Sequence, residues 1–159
     1  WPSMQFEVAE NCMTCHGLAH PDLKADDLAK MLGAGHPINT DFELVKYSQG
    51  SVRHRHYPPD IKTNAEMTPQ ELANIYVVGQ AAALVSATEA MSKSGEAKYK
   101  EAQKKRVEIA KAALSGISEA AGLLAAPTRQ NALSFVKSVA GKDLTGAIGS
   151  KLPAKSDYK

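Results

Sequence analysis

The pentapeptide Cys12-Met13-Thr14-Cys15-His16 decides how this 159-residue chain is interpreted. It contains both cysteines of the chain, so no cysteine remains for a disulfide elsewhere. Residues three and four apart on a helix lie on the same face. The spacing therefore predicts that Cys12, Cys15 and His16 share one face at the end of a first helix.

The C-x-x-C-H pattern is the attachment signature of a c-type haem. Each thiol can add to one vinyl group of the porphyrin, and His16 can donate a nitrogen to the iron. A redox-active C-x-x-C is expected where a strand ends and a helix opens, and the sequence has no strand pattern. A structural zinc site needs four ligands, and the i, i+2 spacing of His54 and His56 is unusual for one. The pattern predicts one covalent haem c held by Cys12, Cys15 and His16.

Helical patterns without any strand pattern predict an all-α fold. Thr68, Pro69 and Glu71 mark the clearest helix start: a cap, a proline at the first helical position and the acidic residue of a capping box. A loop is expected at 49–66, where the residues lack a helical period, and the Lys-rich C-terminal tail is expected to be loose. The segments predicted to be helical are 3–15, 18–30, 41–48, 68–91, 97–125 and 128–140.

Two stripes of residues at helical spacing follow from these patterns. Met4, Val8 and Cys12 fall on one face of the first helix. A longer stripe runs along residues 97–125 and consists of Tyr99, Ala102, Arg106, Ala110, Ala113, Leu114, Ile117, Ala121 and Leu124. The second stripe predicts that the C-terminal helices form a hairpin that packs on the helix after Thr68.

Residues 1–91 resemble the class I cytochrome c domain. The resemblance rests on residues 12–17 near the N-terminus, on Tyr57-Pro58-Pro59 in the loop, and on residues 67–72 at the start of a second long helix. It implies a cytochrome c-like haem-binding domain at residues 1–92. Residues 93–159 then form a helical hairpin extension that packs on the haem domain or on a partner.

The sixth iron ligand does not follow directly from this resemblance. In the family a loop residue, usually a Met and often followed by Pro, supplies it, whereas this chain has Tyr57 before Pro58. His56 is the first choice, because it lies one residue from the usual position and imidazole is a good iron ligand. His54 and Met67 are the alternatives. A bis-histidine iron is expected to have a lower reduction potential than a His/Met iron.

The resemblance implies a monohaem c-type cytochrome that transfers electrons between redox proteins and is not itself an enzyme. One alternative is a haem subunit of a larger oxidoreductase complex, in which the C-terminal helices contact a partner or a second copy of the chain. The other is a gas-binding or peroxide-reactive haem protein with an open sixth position.

Net charge and hydropathy exclude two further classes of protein. The net charge of +2 argues against nucleic-acid binding, which favours a clustered basic face. No apolar run reaches the length of a membrane span. Because the family acquires its haem outside the cytoplasm, we expect an exported, periplasmic protein in its mature form without a signal peptide.

Overall fold

The computed structural model of the protein describes residues 2–50 and 66–159. Most of these residues are helical and none lies in a strand, which confirms the all-α fold. None of their helices is both long and apolar enough to cross a membrane. The α-helices are α1 (Pro2–His16), α2 (Ala25–Gly33), α3 (Leu44–Ser48), α4 (Pro69–Lys93), α5 (Ala97–Leu114), α6 (Ala121–Ala125), α7 (Arg129–Val139) and α8 (Thr145–Ile148).

Helix α4 forms the centre of the fold because it is buried around most of its circumference. Its small residues let neighbouring elements approach closely; a Cβ at Gly79 would lie 3.0 Å from Cγ of Leu44. Helices α5 and α1 make the most extensive contacts with α4, and α7, α3 and α8 also pack on it. The main core contains residues from both sides of position 92, among them Phe6, Val77, Leu114, Leu123 and Phe135.

The predicted start of α4 is confirmed in detail. The Thr68 hydroxyl accepts a hydrogen bond from the Glu71 N–H at 3.3 Å, and the Glu71 carboxylate accepts one from the Thr68 N–H at 2.7 Å. Pro69 occupies the first helical position. Met67 and Leu72 both pack, partly buried, against the main core, as expected for apolar residues that flank a capping box.

The prediction of one continuous helix over 97–125 is wrong: α5 ends at Leu114, and the chain becomes helical again only at Ser118–Ala120 and in α6. Gly116 has a φ of +90°, a conformation that glycine adopts at no steric cost, and it turns the chain. The ammonium group of Lys151 donates to carbonyl oxygens at this helix end, those of Ala112, Ala113 and Ser115. Ile117, which follows the end of α5, packs in the main core together with Leu114. The apolar period in the sequence therefore continues although the helix ends.

The prediction of a loose C-terminal tail is also wrong. Leu152 and Tyr158 pack against the main core. The Lys159 N–H donates to the Lys46 carbonyl at 2.9 Å, which attaches the C-terminus to α3. The tail is therefore part of the packed fold.

The apolar face of α1 differs from the predicted one. Met4 is 44% exposed and Val8 is 42% exposed. The side chains that pack inward are Phe6, Ala9 and Met13, which also recur at helical spacing. Apolar residues occur on two faces of this helix, and the face that carries the large Phe6 ring is the one that α4 and α7 cover.

Candidate functional site

Helix α1 ends directly after the Cys/His motif in a Schellman arrangement of backbone hydrogen bonds. The Ala19 N–H donates to the Thr14 carbonyl at 3.1 Å, and the Leu18 N–H donates to the Cys15 carbonyl at 3.0 Å. Leu18 has a φ of +47°, in the left-handed region that favours glycine. A side chain in this conformation costs roughly 1 kcal/mol, so other contacts must hold the turn in place.

The two cysteines of the motif are free thiols with different surroundings. Cys12 is partly buried against the main core, whereas Cys15 is exposed. Burial raises the pKa of the Cys12 thiol; a backbone hydrogen bond lowers it, and the neighbouring Cys15 raises it further. The Thr14 hydroxyl lies 3.7 Å from Cys15 Sγ and donates to the Asn11 carbonyl at 2.7 Å.

The His16 imidazole is exposed and is oriented by aromatic neighbours. Its ring stacks on Phe42, with 3.9 Å between centroids and 8° between planes, and Tyr47 lies 5.8 Å away. Partial burial lowers the pKa of His16. The neutral imidazole, which has a free lone pair for a metal, is therefore favoured.

Helix α3 places Tyr47 beside His16, and Glu43 caps this helix. The Glu43 carboxylate accepts hydrogen bonds from the Val45 and Lys46 N–H groups, each at 2.8 Å. Burial raises the pKa of Glu43 to about 7, although the two backbone hydrogen bonds and the charge of Lys46 lower it. The helix that carries Tyr47 is thus capped by a buried carboxyl group whose pKa is raised by burial.

A surface depression of about 430 Å³ lies beside the motif. It is lined by Cys15, His16 and His36 together with residues 37–39. The free thiols of Cys12 and Cys15, an imidazole that favours its neutral form and a depression beside Cys15 and His16 are the groups that a covalently attached haem would use. The residues present therefore fit a haem c.

The turn that follows α1 is held by three buried side chains of α5: Tyr99, Gln103 and Arg106, which we call the α5 clamp. Tyr99 Oη donates to the Leu18 carbonyl at 2.7 Å, and Gln103 Nε2 donates to the Gly17 carbonyl at 3.0 Å. Arg106 Nη1 donates to the same Gly17 oxygen at 3.2 Å. The clamp fixes the strained turn that follows His16.

Of the three candidate distal ligands, the structure describes only Met67. His54 and His56 lie outside the described residues. Met67 is described, and it is partly buried against the main core one residue before the α4 cap. In the described part of the chain no group of three or more His, Cys, Asp or Glu side chains could hold a metal ion.

Sequence reasoning did not assign Phe42, Tyr47 or the α5 clamp to the site. A signal for the clamp was present, because Arg106 occupies a position in an otherwise largely apolar stripe, and such a charge must find polar partners when buried. The aromatic residues gave no comparable signal. Comparison with known protein families, with curated proteins and with solved structures finds no match for this chain.

Proposed function

We propose that this chain is a monohaem c-type cytochrome that carries electrons between redox proteins. The observation that carries the proposal is the C-x-x-C-H motif on the last turn of α1, with two free thiols and an exposed imidazole beside a depression. Cys12 and Cys15 would hold the haem through thioether bonds, and His16 would ligate the iron. When bound, haem c supplies a one-electron iron couple.

The surrounding residues support this role by what they do to His16. Phe42 fixes the plane of the ring by stacking, and partial burial lowers the imidazole pKa and so favours the form that can ligate a metal. Because Cys15 and His16 are exposed, this site lies at the surface, where a redox partner can approach through a small, transient interface.

The position of the motif argues against a dithiol redox enzyme. Reactive cysteines of that class have a lowered pKa, commonly because they lie at a helix N-terminus. Here the motif closes a helix, where the dipole disfavours a thiolate, and burial raises the pKa of Cys12. The two thiols are therefore better suited to permanent attachment than to thiol exchange.

The mass of the intact purified protein, produced in a host that attaches c-type haem, tests the proposal. We expect one haem per chain that survives denaturation, and complete loss of it in the double variant C12A/C15A. Thr14→Ala, which changes a residue inside the motif without removing a thiol or the imidazole, should keep the haem. A chain without covalent haem, or a double variant that retains it, would contradict the proposal.

Optical spectra of single variants identify the distal ligand. We expect a low-spin spectrum that His56→Ala converts to a high-spin one, while His54→Ala and Met67→Ala leave it low-spin. If Met67→Ala is the variant that changes, the iron has His/Met ligation and a higher potential. A high-spin wild-type protein that binds carbon monoxide would replace electron transfer with the gas-binding alternative.

A further inference from the structure

A buried arginine lies against the end of α1. Arg106 is 4% exposed, and its Nη1 donates to Oε1 of Gln103 at 2.6 Å as well as to the Gly17 carbonyl at 3.2 Å. Its Nη2 lies 3.4 Å from Sδ of Met13. Among the residues that the structure describes, no carboxylate forms an ion pair with Arg106.

Burying a charge is costly unless other groups offset it. The groups that face this guanidinium are the Gly17 carbonyl, the Gln103 amide oxygen, the Met13 thioether and the Tyr99 phenol, none of which carries a formal charge at neutral pH. The Gly17 carbonyl follows the last turn of α1, where the helix dipole provides partial negative charge. Burial lowers the pKa of Arg106 to about 10, so the side chain remains a cation at neutral pH.

The location of this cation relates it to the proposed haem ligand. Gly17 is bonded to His16, so the hydrogen bond to its carbonyl restrains the turn from which the imidazole projects. Water screens a buried charge less than an exposed one. A cation held near an iron disfavours its oxidised state, because oxidation adds positive charge.

We propose that Arg106 is a positioning residue for His16 and that its buried positive charge raises the reduction potential of the haem iron. This inference rests on the proposed function. It also gives the C-terminal half of the chain a role, because α5 supplies both the restraint on the α1 end and the charge.

Reduction potentials of the purified haem proteins, measured by spectroelectrochemical titration, test the inference. We expect Arg106→Gln to lower the potential and Arg106→Lys, which keeps the charge, to remain close to the wild type. Lys105→Gln is the matched control: it removes one positive charge from the neighbouring position of the same helix. Lys105 is exposed, so water screens it and the potential should hardly change.

Thermal unfolding followed by circular dichroism separates a structural effect from an electrostatic one. Tyr99→Phe removes a neutral hydrogen bond of the clamp and no charge, so it should lower the melting temperature and change the potential less than Arg106→Gln does. If Arg106→Gln does not fold, Arg106→His provides the measurement. Its potential should fall more steeply with rising pH than that of the wild type, as the imidazole loses its proton.

Equal potentials for the wild type and Arg106→Gln, with haem attached to both, would overturn this inference and leave the proposed function intact. For Arg106→His, a pH dependence equal to that of the wild type would do the same. A wild-type protein that carries no covalent haem would overturn both.

Discussion

The two sides of the α1 end are held in different ways. On the motif side, Cys15 and His16 are exposed, and the His16 ring stacks on Phe42. On the α5 side, the clamp is buried and donates three hydrogen bonds to two backbone carbonyls. The comparison shows that Cys15 and His16 are left exposed, while the backbone of the turn directly after them is fixed by buried hydrogen bonds. The support of the site therefore comes from the helices themselves.

The largest change in the free energy of unfolding is expected at Gly17, where α5 packs directly against the backbone of the turn after α1. A Cβ at Gly17 would overlap the guanidinium of Arg106, which is buried and cannot move without losing its hydrogen bonds. We expect Gly17→Ala to lower the free energy of unfolding by about 3 kcal/mol, from overpacking and displacement of a buried charge. Urea unfolding measures this change.

Gly122→Ala is the control for that substitution. Gly122 lies in α6, and a Cβ there would meet nothing within 4 Å. Alanine should stabilise the helix by about 0.5–1 kcal/mol, because glycine loses more conformational freedom on folding. Equal changes in the free energy of unfolding at Gly17 and Gly122 would contradict the close packing of Arg106 against Gly17.

The second effect is a pH dependence of the free energy of unfolding. It arises from Glu43, whose carboxyl group titrates, whereas Arg106 of the α5 clamp keeps its charge at neutral pH. The pKa of Glu43 is about 7 in the folded chain, against an ordinary 4.5. Between these values the folded state binds more protons than the unfolded state, so stability falls as pH rises from about 4.5 to 7. The decrease in the free energy of unfolding from this group is on the order of 3 kcal/mol.

Urea unfolding between pH 4.5 and 8, compared for the wild type and Glu43→Gln, isolates this contribution. Tyr76 and Tyr158, which interact with Glu43, have raised pKa values and stay neutral over this range, while the charge of Lys46 lowers the Glu43 pKa. His16, whose pKa is lowered, contributes a slope of opposite sign in both proteins. Parallel pH profiles for the two proteins would show that Glu43 is ionised throughout.

The smallest changes in stability are expected from removing two tyrosine hydroxyls, that of Tyr99 in the α5 clamp and that of Tyr47 beside His16. Tyr99→Phe leaves the buried Leu18 carbonyl without its 2.7 Å hydrogen bond and should cost about 1–2 kcal/mol. The Tyr47 hydroxyl accepts from Asn39 and Lys159 at the edge of the fold, so Tyr47→Phe should cost less than about 0.5 kcal/mol. A cost for Tyr47→Phe equal to that for Tyr99→Phe would remove the contrast between the two sides.

Sequence patterns correctly predicted the features that are formed by residues only a few positions apart. The capping box at Thr68 and Glu71 forms as expected, because its hydrogen bonds join residues three apart. The motif lies on the last turn of α1, as its spacing predicted. The break after Leu114 was missed because the apolar period of α5 runs on through Gly116, and a period reports burial without reporting backbone direction.

The inward face of α1 was missed for a related reason. Met4 and Val8 are as apolar as many core residues, yet both are exposed, while Phe6 and Met13 face the core. A helix with apolar residues on two faces can pack by either one, and the neighbouring helices decide between them. The docked C-terminal tail likewise depends on contacts with the distant Lys46 and Glu66.

By itself, the sequence determined the helical class, the start of α4 and the grouping of two thiols and an imidazole on one helix turn. Each of these depends on residues a few positions apart, so local spacing is sufficient. Only the tertiary structure decided that Arg106 contacts the turn that follows His16, because 89 residues separate it from Gly17. Such a contact depends on how α1 and α5 both pack on α4, and no local period encodes that geometry.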